Sequence, residues 1–252
     1  MTARVSFVAR LRGLGLTLPW LAAFALIGSA GALVLLRLSP VSATSPWYLT
    51  VNALGLALSF GFATWAVGVR FTRHSWDQLG WRGGGGGAMA RRLARGVALG
   101  AAMAALAIGL ALVWSGATVR VTPEWSRWAI HAGPLAAALL LAALWEELTF
   151  RGFPLRLLAD AVGPMTAMLL LALGFGVAHA WNPHAGVFGA VNVALAAIWL
   201  SFAFFSAGGV ALAWGLHFGW NAGLGLLFDA PVSGYTFHVP AVEYQPGARA
   251  WV

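Results

Sequence analysis

The stretch HAGPLAAALLLAALWEELTFRG, residues 131–152, decides what kind of protein this is. Its first fourteen residues carry no formal charge, and the run approaches the roughly 20 residues that a helix needs to cross a hydrocarbon core of about 30 Å. It then ends on Glu146, Glu147 and Arg151. Ionisable groups at such a place are costly and face a protein interior or a wet cavity, where they serve function. The stretch therefore predicts a membrane helix bundle with a polar interior.

Composition extends the same reading to the whole chain. Of 252 residues, 60% are hydrophobic and 9% charged, and the mean hydropathy is +0.81. These values exclude an ordinary soluble domain. The fold class expected is all-α, a polytopic transmembrane bundle of about seven spans, near residues 16–36, 47–69, 96–115, 131–153, 165–181, 186–205 and 208–228. The whole chain, 1–252, is read as a single integral membrane domain. The basic start resembles a signal peptide, but its apolar run continues to Leu36 and predicts a retained first helix.

The net charge of +8 does not point to nucleic acid. Arg4, Arg10 and Arg12 precede the first apolar run, and Arg70, Arg73, Arg82, Arg91, Arg92 and Arg95 crowd one connection. That is the positive-inside pattern, which predicts a cytoplasmic N-terminus in what is read as a bacterial cytoplasmic membrane, with the lipid bilayer as the partner. Within the same connection GGGGG, residues 83–87, lacks the lysine and Ser/Thr of a phosphate loop and reads as a flexible linker. The tail, residues 229–252, is assigned no chemistry. With no cysteine in the chain, disulfides, thiolate metal sites and a cysteine nucleophile are excluded.

The ionisable candidates inside spans all lie in the second half: Glu146, Glu147, Arg151, His179 and His217, with Asn221 as a polar companion. Glu147 and Arg151 are four apart and can pair on one helix face, whereas Glu146 points about 100° away. His179 follows Phe175 by four residues in GFGVAHAWNP, and His217 precedes Asn221 by four in LHFGWNAG. Gly215, Gly219 and Gly223 leave room for close helix approach. A buried carboxylate can act as general base on water, a histidine can orient that water, and paired donors can stabilise an oxyanion. Such a set suits non-covalent peptide hydrolysis.

The segments EELTFR, FGVAH and HFGWN follow the patterns EExxxR, FxxxH and HxxxN in that order. Over about residues 130–228 the chain resembles the CPBP family, the CAAX-protease and bacteriocin-processing (Abi) group of intramembrane proteases. The resemblance implies a helical bundle with this stretch as catalytic core, and an endopeptidase acting on a peptide or protein substrate at the membrane. It implies Glu146 as the base activating water, His179 as its partner, His217 with Asn221 as the oxyanion hole, and Glu147 with Arg151 as support. Eukaryotic members remove the last three residues of prenylated CAAX proteins. No cofactor is expected; the alternative is zinc held by Glu146, His179 and His217. HExxH and GxGD are absent, and Ser115 lacks the first glycine of GxSG. The competing function is a non-catalytic scaffold or bacteriocin immunity protein of the same fold. A transporter is disfavoured because no repeated half is visible.

One geometric expectation is sharp. Hydropathy places Glu146 near the inner end of span four and His179 late in an outward span five, at different depths. A longer, tilted fourth helix continuing through Leu155 to Leu158, or shifted boundaries, would bring them level.

Overall fold

The computed structural model describes residues 7–121, 124–239 and 242–247. Arg4, Pro240 and the end of the tail lie outside them. Within them the chain is a helical bundle with one two-stranded sheet. The helices are α1 (Phe7–Arg37), α2 (Tyr48–Ala63, continued as a π-helix Thr64–Phe71), α3 (Gly85–Ser115), α4 (Trp125–Phe150), α5 (Phe153–Val162), α6 (Pro164–His179), α7 (Val187–Phe205) and α8 (Gly209–Ala222, continued as a π-helix Gly223–Leu227). Strands β1 (Thr118–Val121) and β2 (Val242–Gln245) pair antiparallel, Val121 opposite Val242.

Each of the seven expected spans has its helix, but not all are of spanning length. Among the described residues five stretches are long and apolar enough to cross a membrane: Gly13–Arg37, Tyr48–Phe71, Gly85–Ser115, Trp125–Val162 and Val187–Phe205. Helix α6 has only 16 residues, or roughly 24 Å at 1.5 Å per residue. Helix α8 is diluted by glycines and carries His217 and Asn221. The two elements that fall short thus carry three of the polar candidates.

The glycine run is not the expected linker. Gly84 turns the chain at φ 107°, and Gly85–Gly87 form the first turn of α3. Arg92 fixes this entry by donating to the carbonyls of Arg82 and Gly83 at 2.9 and 3.0 Å. Farther along, α3 lies against α8 on a seam of small residues. A Cβ on Gly96 would stand 2.5 Å from the Leu212 carbonyl, and one on Gly219 would run into the Val97 carbonyl. Backbone meets backbone there, so neither side can yield. Gly219→Leu is expected to lower stability by more than about 2 kcal/mol. Gly109→Leu on the same α3, where a Cβ meets nothing within 4 Å, is expected to be near neutral. Thermal unfolding of the two variants in detergent, read by tryptophan fluorescence, makes the comparison.

The depth problem is resolved by a break in the fourth span. Pro154 has no amide hydrogen to donate, and its ring would collide with the Phe150 carbonyl of a continuous helix, so α4 ends at Phe150. Helix α5 starts at Phe153 with the proline in its first turn. It then runs on antiparallel to α1: the Phe153 ring lies 5.5 Å from that of Phe24, and Gly13 abuts Ala161. Gly163, at φ 89°, reverses the chain into α6. By starting a further ten-residue helix beyond the end of α4, α6 finishes level with Glu146.

Candidate active site

Two adjacent glutamates on α4 face different neighbours, as their 100° separation requires. Glu147 is fully buried, and its Oε1 accepts from Arg151 Nη1 at 3.2 Å and from His217 Nδ1 at 2.9 Å. The expected Glu147–Arg151 pair is therefore present, on a guanidinium that is only 1% exposed. That guanidinium also lies 4.4 Å from the Phe175 ring centre, in range of a cation–π contact. Phe175 in turn packs edge-on against Phe150, with centroids 4.9 Å apart. An ion pair with these aromatic walls locks α4, α6 and α8 together around one point.

Glu146 turns to the two imidazoles. Its Oε2 stands 3.7 Å from His179 Nε2 and 3.6 Å from His217 Nε2. It is buried and has no hydrogen-bond partner. The far sides of both rings are already committed: His179 Nδ1 donates to the Phe175 carbonyl at 2.8 Å and His217 Nδ1 donates to Glu147. These partners place a proton on each Nδ1, so that in the neutral form of either ring Nε2 is an acceptor directed at Glu146. Three acceptors then converge with no donor among them. A water placed there can donate to the carboxylate and to an imidazole at once.

His179, His217 and Asn221 line an open cavity of about 610 Å³ between α6, α7, α8 and the segment that follows α8. Glu146 is not among its lining residues and meets the cavity across the two imidazoles. The structure thus brings all six sequence-predicted residues to one place: Glu146, His179, His217 and Asn221 around the cavity, Glu147 and Arg151 behind them. Among the described residues no group of three or more His, Cys, Asp or Glu is arranged to hold a metal ion.

Sequence reasoning missed three features. The His217–Glu147 bond joins residues seventy apart and has no local signal. Asn192 lines the cavity from α7; as the lone amide in that helix it was legible. The tail, assigned no chemistry, supplies Pro231, Ser233, Gly234 and Thr236 to the cavity wall.

The fold and the site define an integral membrane protein with a buried Glu/His/Asn centre open to an internal cavity. Residues 127–223 match the family model described as type II CAAX prenyl endopeptidase Rce1-like. All six site residues lie inside the matched segment. Neither the comparison with curated proteins nor that with solved structures finds a match.

Proposed function

We propose that this protein is an intramembrane endopeptidase that cleaves a peptide bond with a water activated by Glu146 and His179. The observation that carries the reading is the convergence of Glu146 Oε2 with the Nε2 atoms of His179 and His217 at the wall of the cavity. A water held by Glu146 and His179 gives its proton to the carboxylate as its oxygen attacks the peptide carbon. The carbonyl oxygen becomes an oxyanion, which takes a hydrogen bond from the Asn221 amide. It takes a second from His217 Nε2 in the form of the protein whose His217 has already taken a second proton from solvent, a proton that stays on the ring throughout, with Nδ1–H still on Glu147. Collapse expels the amine, which takes the water's first proton back from Glu146, while the water's second proton leaves with the new carboxylic acid. No covalent enzyme intermediate forms.

The substrate is a peptide or protein segment at the membrane, and the N-terminus and arginine-rich connection face the cytoplasm. The test compares protein N- and C-termini in membranes of cells holding the parent or Glu146→Gln at matched levels. Termini lost in the variant support proteolysis and identify substrates. Identical termini with any cellular phenotype preserved would move the assignment to a scaffold or immunity protein of this fold. The reaction proposed needs no ion, so cleavage is expected to survive a strong zinc chelator. Loss with chelator and recovery on adding zinc would overturn that part and make Glu146, His179 and His217 ligands.

A further inference from the structure

The bundle has two unlike ends. At one lie the start of α1, the α2–α3 connection, the α5–α6 turn and the α7–α8 turn. Both turns meet that connection: His74 Nε2 stands 3.7 Å from Asp160 Oδ2, and the Val210 amide donates to the Gly80 carbonyl at 2.9 Å. At the other lie the α1–α2 and α6–α7 connections, the β1–β2 sheet and the segment after α8, where Asn182 Nδ2 donates to the Ser233 carbonyl at 2.9 Å. Among the described residues the first end carries Arg10, Arg12, Arg156 and the six arginines from Arg70 to Arg95, and the second carries Arg37, Arg120 and Arg127. Arginine placement sets orientation while acidic residues weigh little, and this asymmetry supports a cytoplasmic first end.

The cavity belongs to the second end. Its rim includes His184 and Gly186 of the α6–α7 connection and Thr236 after α8, all exposed, as is Asn192 farther down the wall. On α7 the lining runs from Phe188 to Leu200, roughly 18 Å along the axis at about 1.5 Å per residue. On α8 it runs from Leu224 back to His217. There it stops. Leu200, Ala203, Ala213 and Leu216 form a buried apolar floor beneath the histidines, and no described residue of the arginine-rich connection or of the α7–α8 turn lines the cavity. The wall also contains no Arg, Lys, Asp or Glu. Phe188, Trp199 and Trp220 supply apolar surface, and the polar groups are imidazoles, amides and hydroxyls. A wall of this kind accepts a peptide backbone but leaves a charged side chain poorly solvated.

Resting on the endopeptidase reading for its substrate class, we propose that the site is reached from the extracytoplasmic face. Its substrates are uncharged, largely apolar segments of exported or membrane-spanning polypeptides presented there, not the tails of cytoplasmic proteins. The chain lacks cysteine, so Asn192→Cys and Thr236→Cys each place a single thiol in the cavity wall, and Ala90→Cys places one in the early turns of α3 at the arginine-rich end. Spheroplasts of cells expressing each variant are treated, sealed or lysed, with a sulfonated maleimide that does not cross membranes. Both cavity thiols are expected to label in sealed spheroplasts, whereas Ala90→Cys stays unlabelled until lysis. Two cavity variants keep the test open if one fails to fold. Cavity thiols in folded protein that label only after lysis would overturn the outward route, even with proteolysis intact. Outward labelling with no peptide cut would sustain the route and sink the protease. Where cleavage occurs, the termini lost in Glu146→Gln are expected in extracytoplasmic segments, and termini confined to cytoplasmic tails would overturn the substrate class.

Discussion

Glu146→Gln is expected to abolish cleavage and to leave the fold as stable as before or more so. The two effects run in opposite directions for one physical reason. Glu146 Oε2 is buried, has no hydrogen-bond partner and faces two imidazole nitrogens whose protons lie on the far side. Glutamine has the same shape, and its amide N–H can donate to one of those nitrogens, so the protein loses an uncompensated acceptor. The same change removes the carboxylate that takes the water's proton in the proposed reaction. A positioned general base contributes about 100- to 10,000-fold, and a loss of at least about 1,000-fold is the expected result. Cleavage of an identified substrate, with thermal unfolding of the same preparation, reads both quantities. Retained turnover would remove Glu146 from catalysis. Lost turnover with a collapsed melting point would make it structural instead.

Much of this site was legible in the sequence because helical phase is local. The i, i+4 relations of Glu147 with Arg151, and His179 with Phe175, appear in the structure as a 3.2 Å ion pair and a 2.8 Å bond. The glycines of α8 read correctly as a close-packing face. What periodicity could not supply was the depth at which helices meet. That depends on Pro154 breaking the fourth span and on α5 carrying the chain onward before it turns back. The expected continuation through Leu155 to Leu158 occurs, but as a separate helix. Glycine arithmetic failed at residues 83–87 for a related reason. A run with poor helix propensity is drawn into α3 because packing on α8 and the Arg92 bonds outweigh the roughly 1 kcal/mol that each glycine costs relative to alanine.

Glu147→Gln is expected to fail in a different way, losing stability and turnover together. Its Oε1 serves two cationic or proton-donating partners, Arg151 and His217. Removing the charge leaves the Arg151 guanidinium, 1% exposed, without a counter-ion. Breaking one half of a buried pair costs about 3–5 kcal/mol, enough to reduce yield and lower the melting temperature. The change also loosens His217, whose ring is held at one end by Glu147 and directed at Glu146 by the other. By analogy with other residues that orient a working histidine, turnover of the folded fraction should fall on the order of 100-fold, with KM little changed. The double variant Glu147→Gln/Arg151→Met separates the two roles. Methionine removes the stranded charge and keeps much of the packing against Phe175, so the melting temperature should recover. Turnover should not, because His217 still lacks its carboxylate. A double variant that regained both would show that Glu147 only holds the helices. Recovery of stability alone would place it among the residues that position the histidine, and would explain why the chain keeps a second carboxylate in a span where even one is costly.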